Sequence, residues 1–285
     1  MKKLNNLNET QWSPNISTTD ENLSLNGVYQ ELKLPSLARS IFTVSEMHGP
    51  TAAIFNITGN DHGGISLVRS EVEIYDNEPV RTKITQETLQ DIETQFGEDG
   101  KRSVAVLLRG FANDNENEKT IEFLKTHAVQ STNLTISEPS SPDFTWREIS
   151  WKVQQCVLEM NKKRIRTYHA FVVLPYKYAS AIMSVFADLR NSELANESTL
   201  FVGQSGLTKW FINPDQNDNN VYVGLKDEVD AGRGCAVFSP YQNEITDAID
   251  YKTGERVYFI WNRFAITISP LHTNENPLLM RFEVV

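Results

Sequence analysis

The sequence predicts an α+β fold, and three observations carry that prediction. Two loosely alternating apolar runs, Thr51 to Ile57 and Ile65 to Ile74, flank the turn cluster Gly59-Asn60-Asp61-His62-Gly63-Gly64. Apolar residues recur at helical three–four spacing between Thr85 and Ala128, and again from Trp146 to Met160. From Leu200 onward short apolar runs alternate with glycines, prolines and asparagines, which is the pattern of strands and turns.

Taken in order, residues Met1 to about Lys33 are rich in Asn, Ser, Thr and Glu, with apolar residues at neither a helical nor a strand period. Such a segment cannot bury enough surface to order itself, so it reads as an arm that is disordered or orders on a neighbour. Leu34 to Ser40 turns apolar and marks its anchor point. The two alternating runs and their Gly-rich tip make a long β-hairpin with little core of its own. Isolated hairpins are marginal in water, so this one needs something to lie on.

Thr85 suits the cap of a helix with Leu89, Ile92 and Phe96 on one face. Gly97 and Gly100 interrupt it, and Val104, Leu107, Leu108 and Phe111 resume the apolar stripe. A polar break at Asn113 to Glu118 precedes Ile121, Leu124 and Ala128, and the whole stretch reads as one long, interrupted helical region of about 40 residues. Pro139 to Pro142 reads as a loop. The capping box Thr145-x-x-Glu148 then opens an amphipathic helix with Trp146, Ile149, Val153, Val157 and Met160 on its stripe. Ala170 to Leu174 predicts a buried strand, and Pro175 starts a further helix over Tyr176 to Leu189. The rest reads as mostly β, ending in a strand over Leu278 to Val285.

A chain of 285 residues makes one large domain or two ordinary ones, and such a fold buries about 75% of its extended-chain surface. Its net charge of −10 leaves no broad cationic field for a phosphate backbone. The one dense basic run, Lys162-Lys163-Arg164-Ile165-Arg166, closes a predicted helix, where cations complement the helix dipole. Cys156 and Cys235 form no metal-binding spacing, and a reducing interior is the default; a disulfide between them stays open. Neither an N-terminal apolar region of signal type nor an 18-residue apolar run is present, so the expectation is a chain that neither spans a membrane nor carries a standard secretion signal.

The search for chemistry yields little. His48, His62, His127, His169 and His272 lack ligand partners at metal-binding spacing. Gly203-Gln204-Ser205-Gly206 falls short of a nucleophile elbow and reads as a β-turn. Asp215-x-Asn217-x-Asn219 resembles half a calcium loop, but Asn220 replaces its glycine and Lys226 stands where the bidentate Glu belongs. Glu71 and Glu73 share one face of a strand and read as a solvated edge. No catalytic, cofactor or metal site is expected, and the chain is not expected to be an enzyme. The residues by themselves leave a hydrolase or a glycan-binding β-module open.

The order of features resembles the major capsid proteins of T-even-type tailed phages, which share the Hong Kong 97-like (HK97-like) shell fold. The residues that carry the resemblance are Met47-His48-Gly49-Pro50-Thr51 at the start of the hairpin, Asp91 with Gln95-Phe96-Gly97-Glu98-Asp99, and the strand–helix pair from Phe171 to Met183. With them go Val223-Gly224-Leu225-Lys226, Ala231-Gly232, Ser239-Pro240-Tyr241 and Trp261-Asn262-Arg263-Phe264. The match covers most of Leu34 to Val285. It departs at Gln242-Asn243-Glu244, where the family continues with apolar residues and a differently arranged loop is expected. The chain is also short for this group, which implies that an inserted outer-surface domain is missing.

What the resemblance implies is a phage head subunit that self-assembles into hexamers and pentamers of an icosahedral shell around double-stranded DNA. Residues 1–46 would be arm and anchor, 47–82 the extended loop, and 83–145 the peripheral domain with its spine helix. Residues 146–262 would form mainly the axial domain, and 263–285 would return to the peripheral domain. Gly59, Asn60, Asp61, His62, Gly63, Gly64, Arg69, Glu71 and Glu73 would contact a neighbouring subunit. Leu7-Asn8-Glu9 fits maturation cleavage after Glu9. Partners would be copies of the chain and other head proteins of the portal, vertex or decoration kind, with DNA as enclosed cargo and no membrane. The alternative within the class is a vertex protein or an encapsulin-like compartment shell of the same fold.

Overall fold

The computed structural model describes residues 35–47, 51–59, 65–73, 80–82, 86–96, 98–136, 141–162, 169–179, 182, 198, 200–227, 234–249, 252 and 256–284. The arm and the site of cleavage after Glu9 lie outside the described residues, as do the tip residues Asn60 to Gly64. The architecture is mixed α+β, as the residue patterns predict.

The chain begins with the short helix α1 (Leu37–Ile41) and strand β1 (Thr43–Val44), then the hairpin strands β2 (Thr51–Gly59) and β3 (Ile65–Glu73) and the short β4 (Val80–Thr82). Helices α2 (Gln86–Phe96) and α3 (Glu98–His127) follow, then β5 (Val129–Gln130), α4 (Pro142–Asn161) and β6 (His169–Leu174). A 3-10 turn over Tyr176–Tyr178 precedes β7 (Phe201–Ser205), β8 (Thr208–Ile212), β9 (Asn220–Lys226), β10 (Ala236–Ile249), β11 (Arg256–Ile268) and β12 (Leu279–Glu283). They form a six-stranded sheet in the order β5-β12-β9-β6-β8-β7, a four-stranded sheet β1-β10-β11-β4, and the separate pair β2-β3. The chain divides into two compact units, one with residues 75–115 and 241–264, the other with 35–74, 116–240 and 265–285.

In the second unit β6 and β9 are the centre. Residues Ala170 to Leu174 and Val221 to Leu225 are buried on both faces of the sheet, which is why the sequence there is an unbroken apolar run rather than an alternation. On one face α4 presents Ile149, Val153, Cys156 and Met160, all buried, and Trp146 lies 4.8 Å from Trp210 of β8. On the other, Phe171 meets Phe42 edge-to-face at 5.9 Å, and Phe42 meets Phe123 of α3 at 5.6 Å. Each fully buried aromatic of this kind contributes about 1.5–3 kcal/mol of apolar transfer.

Gly224 of β9 pairs in register with Phe171 of β6. A Cβ on Gly224 would lie 2.3 Å from the Phe171 ring, so only glycine leaves room for it. That explains the glycine of the Val-Gly-x-Lys signature. The lysine is explained too, since the Lys226 ammonium donates to the Ser40 carbonyl at 2.8 Å.

In and just after the apolar stretch Leu34 to Ser40, Leu37, Ala38, Ile41 and Phe42 are buried. Its polar groups are matched by α3: Ser36 Oγ donates to the Glu116 carboxylate, and the Leu37 N–H donates to Asn117 Oδ1 at 2.8 Å. Arg39 Nε lies 3.6 Å from Glu116 Oε2. This docking corrects the expected break at Asn113 to Glu118. Within the helix Glu116 and Asn117 face this buried partner, while Asp114 and Glu118 lie on the exposed side.

Three further expectations change. Helix α4 begins at Pro142 rather than at the Thr145 box; Ser141 caps it, accepting from the Phe144 N–H at 3.4 Å, and proline at the first position needs no donor. Thr145, now inside the first turn, is buried with its hydroxyl unpartnered. Ser239 to Glu244 is not a loop but part of β10. Pro240 fits there because it stands beside the short β1 extension, where its carbonyl accepts from the Met47 N–H at 3.1 Å. Of the helix expected over Tyr176 to Leu189 the described part is the 3-10 turn with helical Ala179 and Ile182; residues 183–189 lie outside the described residues.

In the first unit Ile245, Ile260 and Phe264 are buried together with Ala105, Leu108 and Ala112 of α3. The Trp-Asn-Arg-Phe signature alternates as a strand should. Buried Asn262 donates to the Ala112 carbonyl at 2.9 Å, while Arg263 lies over the Trp261 ring at 4.9 Å.

Replacing Gly224 with alanine is expected to lower stability by about 1–3 kcal/mol through overpacking against Phe171. Urea unfolding measures it, and Phe171→Leu in the same chain should recover part of the loss.

Candidate assembly surfaces

The hairpin is the first candidate. Strands β2 and β3 pair antiparallel from Thr51 opposite Glu73 to Gly59 opposite Ile65, nine consecutive register pairs without a bulge. At the usual rise this ribbon is about 30 Å long. Among the described residues neither strand pairs with any other. Gly59 closes β2, and Arg69, Glu71 and Glu73 occupy alternate register positions opposite Phe55, Ala53 and Thr51. Asn60, Asp61, His62, Gly63 and Gly64 belong to the tip outside the described residues.

The second candidate comprises two helix faces. In α3 the buried stripe is Ala105, Leu108 and Ala112, while Leu107 and Phe111 are 59% and 45% exposed. The sequence expectation that put Leu107 and Phe111 on the core stripe is therefore corrected at these two positions. In α4 the stripe from Trp146 to Met160 is on the core side, and Trp151 and Leu158, seven residues apart and so on one face, are 59% and 69% exposed. Sequence reasoning missed this pair, although its position off the three–four stripe was a signal.

The chemistry-bearing residues are otherwise committed. The β-turn read over Gly203-Gln204-Ser205-Gly206 is corrected: Gly203 to Ser205 belong to β7, and the turn to β8 is Gly206-Leu207, with Gly206 at φ +61° and the Gln204 amide donating to its carbonyl at 2.8 Å. In the half calcium loop a lysine supplies the cation. Lys125 Nζ lies 2.6 Å from Asp215 Oδ2 and 3.8 Å from Asp218 Oδ2, and this ammonium holds the Asp215 carboxyl below the usual carboxylate range. Buried Asp218 also accepts from Tyr222 Oη at 2.7 Å, Asn213 Nδ2 at 3.0 Å and the Asn220 N–H at 3.0 Å. Burial, followed by this contact, pushes the Tyr222 phenol up. No group of three His, Cys, Asp or Glu among the described residues is placed to hold a metal. Cys156 and Cys235 are buried free thiols, so the disulfide left open by the sequence is not formed. No helix among the described residues is long and apolar enough to cross a membrane.

The comparisons with known proteins give the family. A family model described as Gp23, major capsid protein Gp23, matches residues 62–284. No curated protein matches the chain. Among solved structures it is similar to a phage-related protein from Bordetella bronchiseptica RB50, at 13% identity over 91% of this chain and 95% of that one, with a TM-score of 0.53. It is also similar to the virus-like particle from Pyrococcus furiosus, at 11% identity over 90% and 94% and a TM-score of 0.51. For the capsid of the Cyanophage P-SCSP1u the figures are 8% identity, 89% of each chain and 0.50. Identities this low show a shared fold, that of HK97-like capsid structures, while the family match spans well over half of the chain. The chain belongs to the Gp23 major capsid protein family, the structural, non-enzymatic proteins of the tailed-phage head.

Proposed function

We propose that copies of this chain form rings, hexamers with pentamers at the vertices, and that the hairpin of each copy locks rings together into a closed shell. The observation that carries this reading is the hairpin itself: a ribbon of about 30 Å whose strands pair only with each other among the described residues. A second copy supplies the burial that such a ribbon needs. Gly59 to Gly64, Arg69, Glu71 and Glu73 are the proposed contact residues on it. The exposed apolar faces of α3 and α4 add area of the kind that shell contacts cover. Contacts that are individually weak become strong in a closed shell, because each subunit is held at several places at once.

The proposed division of labour assigns the arm and anchor to 1–46, the extended loop to 47–82, the peripheral role to 83–145 with α3 as its spine, and the axial role mainly to 146–262. It differs from the sequence expectation at 263–285. We group Ala265 to Val285 with the axial sheet, because β12 is hydrogen-bonded between β5 and β9. The net charge of −10 suits an inner wall along which enclosed DNA slides without sticking. Portal, vertex or decoration proteins complete the proposed set of partners, and cleavage after Glu9 is the proposed maturation step of the arm.

Deleting Gly59 to Gly64 is expected to leave a folded chain that forms no closed particles in negative-stain micrographs; normal particles from that variant would overturn the hairpin's role. Trp151→Glu and Leu107→Glu are expected to fold normally by circular dichroism. Each should raise the concentration needed for assembly at least about tenfold, the equivalent of about 1.4 kcal/mol, as read by light scattering.

A further inference from the structure

The loop between β11 and β12 carries a histidine with both ring nitrogens engaged. His272 Nδ1 faces the Leu278 N–H at 2.9 Å, and Nε2 faces the His127 carbonyl at 3.0 Å. A backbone N–H can only donate and a carbonyl can only accept, so the ring must be neutral, with its proton on Nε2. One side chain thus ties the last residue of α3 to the residue just before β12. The same junction is drawn together by Arg281 Nη1, which donates to the Lys125 carbonyl at 3.0 Å, and by the Leu225 N–H, which donates to the Leu278 carbonyl at 3.0 Å.

We propose that His272 is a proton-operated fastener between the end of α3 and the start of β12. Adding a proton places N–H on Nδ1, directly against the Leu278 N–H. Two donors then face each other, and one of them must give up its place. The bond from Nε2 to His127 survives protonation, so the strand side opens while the helix side holds. Local loosening of residues 269–278 follows, rather than global unfolding, because β12 keeps its five register pairs with β9.

The surroundings favour the neutral ring. Burial lowers both imidazoles below the ordinary value of 6.5; for His272 the bond to the His127 carbonyl works against this, repulsion from the His127 ring works with it, and burial prevails. The other charged groups brought to the junction do not offset this. On α3 the Lys125 ammonium is held by Asp215 at 2.6 Å, and on β9 the Lys226 ammonium donates to the Ser40 carbonyl. Arg281 of β12 is cationic, and Glu275 of the loop is exposed. A histidine whose folded-state value is depressed contributes stability above the unfolded value and loses it as pH falls through the folded one. The window therefore opens below about 6.5 and extends downward.

Hydrogen exchange of the peptide around Leu278 reads the fastener directly. In the full-length protein its protection, corrected for intrinsic exchange, is expected to fall about tenfold per pH unit across that window. His272→Asn keeps an acceptor near the Nδ1 position and cannot be protonated, so its protection should be flat with pH. Flat protection in the unsubstituted chain would overturn the proposal. So would an equal fall in His272→Asn that His127→Gln removes, which would assign the titration to His127. Should His272→Asn fail to fold, nitrogen NMR of histidine-labelled protein at about pH 7.5 decides instead: a proton on Nε2 supports the fastener, and a proton on Nδ1 sinks it.

Discussion

Glu116 is a carboxylate in the middle of a thirty-residue helix, and none of its surface reaches water. A charge in that position is costly unless partners are brought to it. The partners come from eighty residues upstream, where Ser36 donates to it and Arg39 stands beside it. Helix α3 and the short helix α1 therefore fix one another, and Asn117 supplies the cap that α1 cannot provide for itself. With α1 in place, Phe42 is carried into the contact with Phe123 and Phe171, and the second face of the six-stranded sheet is covered. The polar middle of α3 is thus the specific part of the core, and the apolar packing around it follows.

Upon that support the molecule separates what is rigid from what reaches outward. Strands β6 and β9 are buried on both faces and fitted to each other at Phe171 and Gly224, which leaves little freedom to shift. The hairpin has the opposite character, with a regular ladder and no second strand pair on either side among the described residues. A subunit built for a shell needs both. The packed sheet keeps every copy alike, and the ribbon, in the role proposed for it, draws its stability from a neighbour. Lys125, Asp215, Asp218 and Tyr222 hold the β8–β9 connection to α3.

Legibility in the sequence followed the range of the interaction. The hairpin, β6 and the stripe of α4 were legible because their periods are local, and the chain reads two, zero or three–four residues ahead. The start of α4 was missed because Ser141-Pro142 competes with the Thr145 box, and only geometry decides which serine or threonine meets a free N–H. Leu107 and Phe111 were misplaced because apolar residues look alike in a string; the inward face is Ala105, Leu108 and Ala112. The partners of Glu116 and Asn117 are Ser36 and Leu37, which no window around residue 115 contains. The family signatures were legible as a pattern before their causes were, and Gly224 became explicable only with the Phe171 ring over it.

Strand β12 lies between β9, which precedes it by some fifty positions, and β5, which precedes it by some hundred and fifty; the registers Met280–Val223 and Met280–Val129 show both separations. Pairings that distant are entropically slow to close, so the sheet is completed late in folding, however quickly the helices form. Until then β9 shows a bare edge, the kind of surface on which crowded nascent chains join wrongly. The order of events in a productive cell is therefore constrained: each molecule must seal its own sheet before it meets the crowd it is made to join.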